Sequence, residues 1–166
     1  NKKKGATIFG YEVRDPREFG VLEVSGNKIL SIEEKPSKPK SNYAITGLYY
    51  FDYEVFEVCE KINPSKRGEL EITDVINHYF EKDILDFQIL GRGFSWLDTG
   101  SFDSLRQASN FVSLTQKSQG FPIASLEEIA FRNGWISSDE LRERAESVNL
   151  NFREYLLSLL ETLCQL

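Results

Sequence analysis

The hydrophobic positions change their rhythm partway along the chain. In the first half they fall in short runs rich in β-branched and aromatic residues, Ala6–Val13, Gly20–Val24, Ile29–Glu34 and Asn42–Phe51, and such runs predict strands. Asp15-Pro16 marks a turn between the first two runs. Ser25-Gly26-Asn27-Lys28 predicts a hairpin connection between the second and third. Pro36, Ser37, Lys38, Pro39 and Lys40 mark a loop, and Gly47 interrupts the fourth run. Tyr53–Ile62 then takes helical spacing through Val55, Phe56, Val58, Cys59 and Ile62, with Asp52 as its N-cap and Asn63-Pro64-Ser65 as its stop. Thr73–Lys82 reads as a second helix. It is followed by a strand at Phe87–Leu90 and a strand-to-turn segment, Trp96-Leu97-Asp98-Thr99-Gly100.

From residue 101 onward only helical patterns appear. Ser101–Lys117 is a long helix, with Gly120 just past its end where a C-terminal glycine is favoured. Ser125-Leu126-Glu127-Glu128 and Ser137-Ser138-Asp139-Glu140 both have the S-x-x-E form that opens a helix. Asn151–Gln165 carries Phe152, Tyr155, Leu156, Leu159, Leu160 and Leu163 on one face, which predicts packed core or a subunit contact. The fold class is α/β: residues 1–117 form the α/β part and residues 118–166 a helical extension.

Composition narrows the classes. The 166 residues are 40% hydrophobic and 28% charged, which is globular rather than disordered. A net charge of −6 argues against a nucleic-acid surface, and no apolar run reaches the length of a membrane span. Cys59 and Cys164 lie far apart in apolar helical patterns, so they are expected to be buried thiols rather than a disulfide. A soluble, cytoplasmic protein is the expectation. The chain contains no methionine and runs quickly into a strand, so it is expected to begin within a longer protein.

Three places carry candidate chemistry. Asp98, at the end of a predicted strand beside Trp96, is placed as Mg²⁺ ligands are, although a turn or N-cap aspartate has the same look. Glu34-Lys35-Pro36 ends another strand. Proline biases Lys35 toward an extended backbone, a lysine point charge suits a phosphate, and a carboxylate suits sugar hydroxyls. The plain alternative there is a solvated charged strand end. Arg67, before Gly68 in a loop that leads into a helix, offers a second phosphate clamp or is simply a surface arginine. His78 is the sole histidine and lies mid-helix, which points to a structural or surface role rather than catalysis. Gly91-Arg92-Gly93 is too short for a phosphate loop, and no glycine-rich phosphate loop occurs elsewhere in the 166 residues.

Six ordered blocks resemble glucose-1-phosphate thymidylyltransferases, the bacterial enzymes that make dTDP-glucose from dTTP and glucose 1-phosphate. They are Gly5–Glu23, Ser31–Pro36, Ser41–Asp52, Arg67–Val75, Leu90–Ser101 and Gln119–Ile136. The resemblance implies a portion of a Rossmann-like nucleotidyltransferase mixed sheet with a C-terminal helical extension for regulation and assembly. It implies that Gly20, Glu34, Ile45 and Tyr49 contact the glucose ring, with Ile45 where valine is usual, and that Trp96 shapes the sugar pocket. Lys35 and Arg67 would hold the sugar phosphate, and Asp98 would be one Mg²⁺ ligand. Lys35, Arg67 and Asp98 are thus the implied catalytic residues. Gly91, Arg92, Ile123, Ala124, Glu128, Ile129 and Arg132 would belong to a regulatory site for thymidine nucleotides or dTDP-rhamnose between subunits of a homotetramer. Ser101 and Ser125 stand where threonine and cysteine are common.

The resemblance also implies that the chain is the C-terminal portion of such an enzyme. On this view it lacks the glycine-rich loop, the thymine-recognising residues and a second Mg²⁺ aspartate, and is inactive alone. Two other readings stay open: a non-catalytic sugar-phosphate-binding and oligomerisation module, and a nucleotidyltransferase that uses another nucleoside triphosphate or sugar phosphate.

Overall fold

The computed structural model describes residues 4–163, and side chains through residue 161. Leu163, Cys164 and Gln165, named above, therefore lie wholly or in their side chains outside the described residues. Two compact units are present, residues 1–96 and 97–166. The boundary falls ahead of the long helix, close to the change of pattern at residue 101, whereas the expected division at residue 117 kept that helix with the α/β part.

The first unit is built on one mixed sheet of β1 (Ala6–Glu12), β2 (Gly20–Ser25), β3 (Lys28–Glu34), β4 (Tyr43–Phe51) and β5 (Leu85–Leu90), in the order β3-β2-β4-β1-β5. β1 lies antiparallel to β4 and parallel to β5, and β2 lies antiparallel to β3 and β4. The anticipated interruption at Gly47 is a register irregularity. Ile8 opposes Tyr49 and Gly10 opposes Ile45, so β4 takes more residues than β1 across this stretch. Extra residues in one strand re-aim its side chains. Here Ile45 and Tyr49 end up as lining residues of the same cleft.

Helices α1 (Glu54–Cys59) and α2 (Ile72–Glu81) belong to the same unit. α2 gives Ile76 to a core with Ile8, Leu22, Ile32 and Ile45, and gives Val75 and Tyr79 to a second core with Ala6 and Val58. Each such aliphatic side chain contributes about 1.5–3 kcal/mol when fully buried. α1 is shorter than its hydrophobic spacing suggested and ends at Cys59; Val58 is its one buried residue, and Val55 packs partly buried on the same core. Cys59 is exposed, which corrects its expected burial: one helical step turns it away from the face that Val58 occupies. The N-cap of α1 is Tyr53, which makes no side-chain cap, and not Asp52 as expected, although Asp52 does accept the Glu54 N–H at 3.1 Å. It also accepts the Gly5 N–H at 2.7 Å and the Tyr79 hydroxyl at 2.9 Å, and so ties the start of β1 to α1 and α2.

The second unit holds α3 (Phe102–Gln119), α4 (Leu126–Arg132), α5 (Ser138–Glu146) and α6 (Leu150–Leu163). Gly120 ends α3 at φ 78°, a left-handed conformation that a Cβ would oppose. Ser125 and Ser137 cap α4 and α5 as the sequence predicted. Leu141, Ala145, Leu156 and Leu159 form the core of this unit, with Phe152, Tyr155 and Leu160 packed on it, so the α6 stripe is core. No residue of α3 is buried. Among the described residues no helix is long and apolar enough to cross a membrane.

Candidate active site

β2 begins where β3 ends, with Gly20 opposite Glu34 in the ladder. A cleft of about 180 Å³ opens there, lined by Gly20, Glu34, Ile45 and Tyr49 together with Glu18, Phe19, Ile72 and Thr73. All four residues implied to contact a sugar ring therefore converge. A Cβ on Gly20 would stand 3.3 Å from Thr73 Oγ1, 3.4 Å from Glu34 Oε2 and 3.5 Å from Ile45 Cδ1, so the missing side chain leaves room in the cleft. The Thr73 hydroxyl donates to Glu34 Oε2 and holds that carboxylate in place. Burial, and then the Glu34 charge, raise the Tyr49 phenol above its ordinary value, so it stays a neutral donor near a carboxylate.

Strand alternation separates the two neighbouring glutamates. Glu33 pairs with Lys40 at 2.6 Å, while Glu34 meets Thr73. Lys35 is not extended: it sits at φ 40°, which corrects the reading from Pro36. Its N–H closes the ladder on the Phe19 carbonyl at 3.0 Å, and the chain then turns away. Proline disfavours the right-handed helical region for the residue before it, and here the turn is made through the left-handed one.

Arg67 rides on a turn closed by Gly68 N–H to the Ser65 carbonyl at 2.9 Å. Its guanidinium pairs with Glu69 at 2.5 Å and Glu71 at 3.2 Å. The Ser65 hydroxyl donates to Glu71 at 2.7 Å, and this bond, followed by the Arg67 and Lys35 charges, holds the Glu71 carboxyl below its ordinary range against the effect of burial. Trp96 is half-buried against Phe19 (ring centres 5.1 Å apart) and Tyr11 (5.8 Å), so it backs the cleft through Phe19 rather than lining it.

Asp98 belongs to the second unit and does not end a strand, because β5 stops at Leu90. It is an exposed turn residue whose Oδ2 accepts the Gly100 N–H at 3.1 Å. Among the described residues no group of three or more His, Cys, Asp or Glu could hold a metal ion. A lone exposed carboxylate fits Mg²⁺ of the kind held mostly by phosphate oxygens and water. His78 pairs with Glu54 at 2.9 Å, a structural role as expected.

The implied regulatory residues divide between the units. Gly91 and Arg92 sit in an exposed turn of the first unit. Ile123, Ala124, Glu128, Ile129 and Arg132 line one groove of about 630 Å³ in the second. Glu128 accepts from Arg132 at 2.7 Å and from the Tyr155 hydroxyl. Burial and the bond to Glu128 push the Tyr155 phenol up to about 12. Sequence reasoning left Tyr155 in the core stripe and passed over Phe19, Thr73 and Glu71. Thr73 and Glu71 gave one usable signal, polar residues at the start of an amphipathic helix.

The sequence profile described as nucleotidyl transferase matches residues 1–114, which include the mixed sheet and its cleft. The chain belongs to that family. Among its relatives it is 50% identical over 159 residues to the glucose-1-phosphate thymidylyltransferase of Neisseria meningitidis serogroup A, covering 95% of this chain and 55% of that protein. It is 45% identical over 159 residues to the enzyme of the same name from Mycobacterium tuberculosis H37Rv, with the same coverage of each. The chain thus spans about half the length of the curated relatives it matches. A Bacillus anthracis structure described as a glucose-1-phosphate thymidylyltransferase in complex with a sucrose superposes with a TM-score of 0.60 at 42% identity, over 67% of this chain and 44% of that one. A UDP-glucose pyrophosphorylase in complex with UDP-glucose shares the fold at a TM-score of 0.59 and 22% identity, over 67% and 45%. These matches do not uphold the expected placement as the C-terminal portion of the enzyme.

Proposed function

We propose that the cleft at Gly20, Glu34, Ile45 and Tyr49 receives the sugar of glucose 1-phosphate and that this protein acts as a glucose-1-phosphate thymidylyltransferase. The convergence of these four residues beside Lys35 and Arg67 carries the reading, and the names of the relatives support the choice of substrates. Glu34, fixed by Thr73, accepts hydrogen bonds from sugar hydroxyls, and Tyr49 presents its ring and a neutral hydroxyl. Lys35 and Arg67 hold the sugar phosphate and offset its repulsion from the triphosphate of dTTP.

The chemistry is one in-line displacement. An oxygen of the sugar phosphate bonds to the α-phosphorus of dTTP as the bond to the β-phosphate oxygen breaks, and dTDP-glucose and pyrophosphate result. No covalent enzyme intermediate is needed; positioning and charge neutralisation suffice. Asp98 would hold Mg²⁺, which neutralises phosphate charge when bound. The groove at Ile123–Arg132 is read as the part of the regulatory nucleotide site that this unit supplies, in a homo-oligomeric, cytoplasmic enzyme.

Pyrophosphate release from dTTP, glucose 1-phosphate and Mg²⁺ by the full-length protein tests the reading. Asp98→Ala is expected to abolish turnover and leave the melting temperature nearly unchanged, since its one bond within the turn is exposed. Wild-type turnover in that variant would remove Asp98 from the metal site. Preference for UTP over dTTP would move the protein to another branch of the family.

A further inference from the structure

We infer that Glu71 is a positioning residue for sugar-phosphate binding beside the cleft, fixing the guanidinium of Arg67. The inference rests on the sugar-phosphate reading above and adds the group that makes Arg67 a preorganised clamp. Glu71 is the only charged residue buried among those described, at 7% exposure. A carboxylate is costly to bury unless it is paired and hydrogen-bonded, so its partners show what it does. It directly precedes α2 yet makes no side-chain cap on that helix. Its oxygens accept instead from the Ser65 hydroxyl at 2.7 Å and from Arg67 Nε and Nη2 at 3.3 Å.

The turn between them is closed independently. Ser65 N–H donates to the Glu69 carbonyl at 2.8 Å, and Arg67 N–H donates to Ser65 Oγ at 3.2 Å. Backbone and side chain of Arg67 are therefore both referred to one serine–glutamate pair. Nε and Nη2 face carboxylates, whereas Nη1 has no hydrogen bond or ion pair among the described residues, which leaves one edge of the planar fork open for an anion. Lys35 lies close enough for its charge to act on the same Glu71 carboxylate. One buried anion thus fixes the Arg67 guanidinium before the phosphate arrives, and a preorganised clamp gives up less freedom when it binds.

A double-mutant cycle in the full-length protein tests this. The KM for glucose 1-phosphate is measured at saturating dTTP and Mg²⁺ in wild type, Glu71→Gln, Arg67→Ala and the double variant. Glu71→Gln keeps the shape and the Ser65 bond but loses the charge. It is expected to raise that KM about tenfold, the size of one lost charge-assisted hydrogen bond, with the KM for dTTP unchanged. In the Arg67→Ala background the same change should add little, because Glu71 acts through Arg67. Should Glu71→Gln fail to fold, Ser65→Ala carries the same comparison with a smaller rise. Additive effects, or an unchanged KM where Arg67→Ala is impaired, would overturn the inference alone. No turnover of glucose 1-phosphate by the wild-type protein would overturn the functional reading and this inference with it.

Discussion

Gly20 shows how one missing side chain makes a site. Its backbone lies in an ordinary strand, so alanine is conformationally acceptable there, but the new Cβ would sit 3.3–3.5 Å from Thr73, Glu34 and Ile45. Gly20→Ala is expected to lower kcat/KM for glucose 1-phosphate at least tenfold, with the melting temperature within a few degrees of wild type. Steady-state kinetics beside a thermal melt would separate this from a folding defect, and undiminished kcat/KM would place the sugar elsewhere. At this scale the sequence exposed residue types better than geometry. Glu34, Lys35 and Arg67 were legible as charge at element ends. The left-handed turn at Lys35 and the burial of Glu71 were not, because both depend on what the neighbouring elements leave for the chain to do.

Among the elements, Asp52 is the junction with a pH dependence. Hydrogen bonds from Gly5, Tyr79 and Glu54 favour its charged form and lower its pKa from the ordinary 3.8, against a smaller opposing effect of burial. A carboxyl depressed in the folded state stabilises the fold above its unfolded pKa, and that contribution is lost as pH falls through the folded value. Asp52→Asn is therefore expected to cost about 1 kcal/mol at neutral pH, the low end for bonds to a partly exposed charged group. The gap should narrow as pH drops below about 4. Denaturant unfolding at pH 7 and near pH 3 checks it, and a gap that widens in acid would contradict the assignment. Strands and capped helices were legible here because their signals are local: β-branched runs, a two-residue turn and a serine three residues before a glutamate. The length of α1 was not, since hydrophobic spacing continues to Ile62 while the helix ends at Cys59.

On the scale of the whole molecule, each unit has its own core, and the second depends on a small one. Leu156 is fully buried among Leu141, Ala145 and Leu159. Leu156→Ala is expected to destabilise that unit by about 2–5 kcal/mol through lost burial and a residual cavity. A circular-dichroism melt followed at 222 nm should show it as a lower transition, and an unchanged melt would mean that α6 is not the keystone of this core.

The sequence by itself determined the order and kind of the elements, the family, and the charged residue types of the candidate site, because propensity, capping and motif spacing are properties of neighbouring residues. Only the tertiary structure decided that Gly20, Glu34, Ile45 and Tyr49 share a cleft with Thr73, that Trp96 supports it through Phe19, and that the chain divides at residue 96. These facts join residues from different strands and helices. They are set by strand register and by which side chains a core has room to bury, and neither is written into a short stretch of chain.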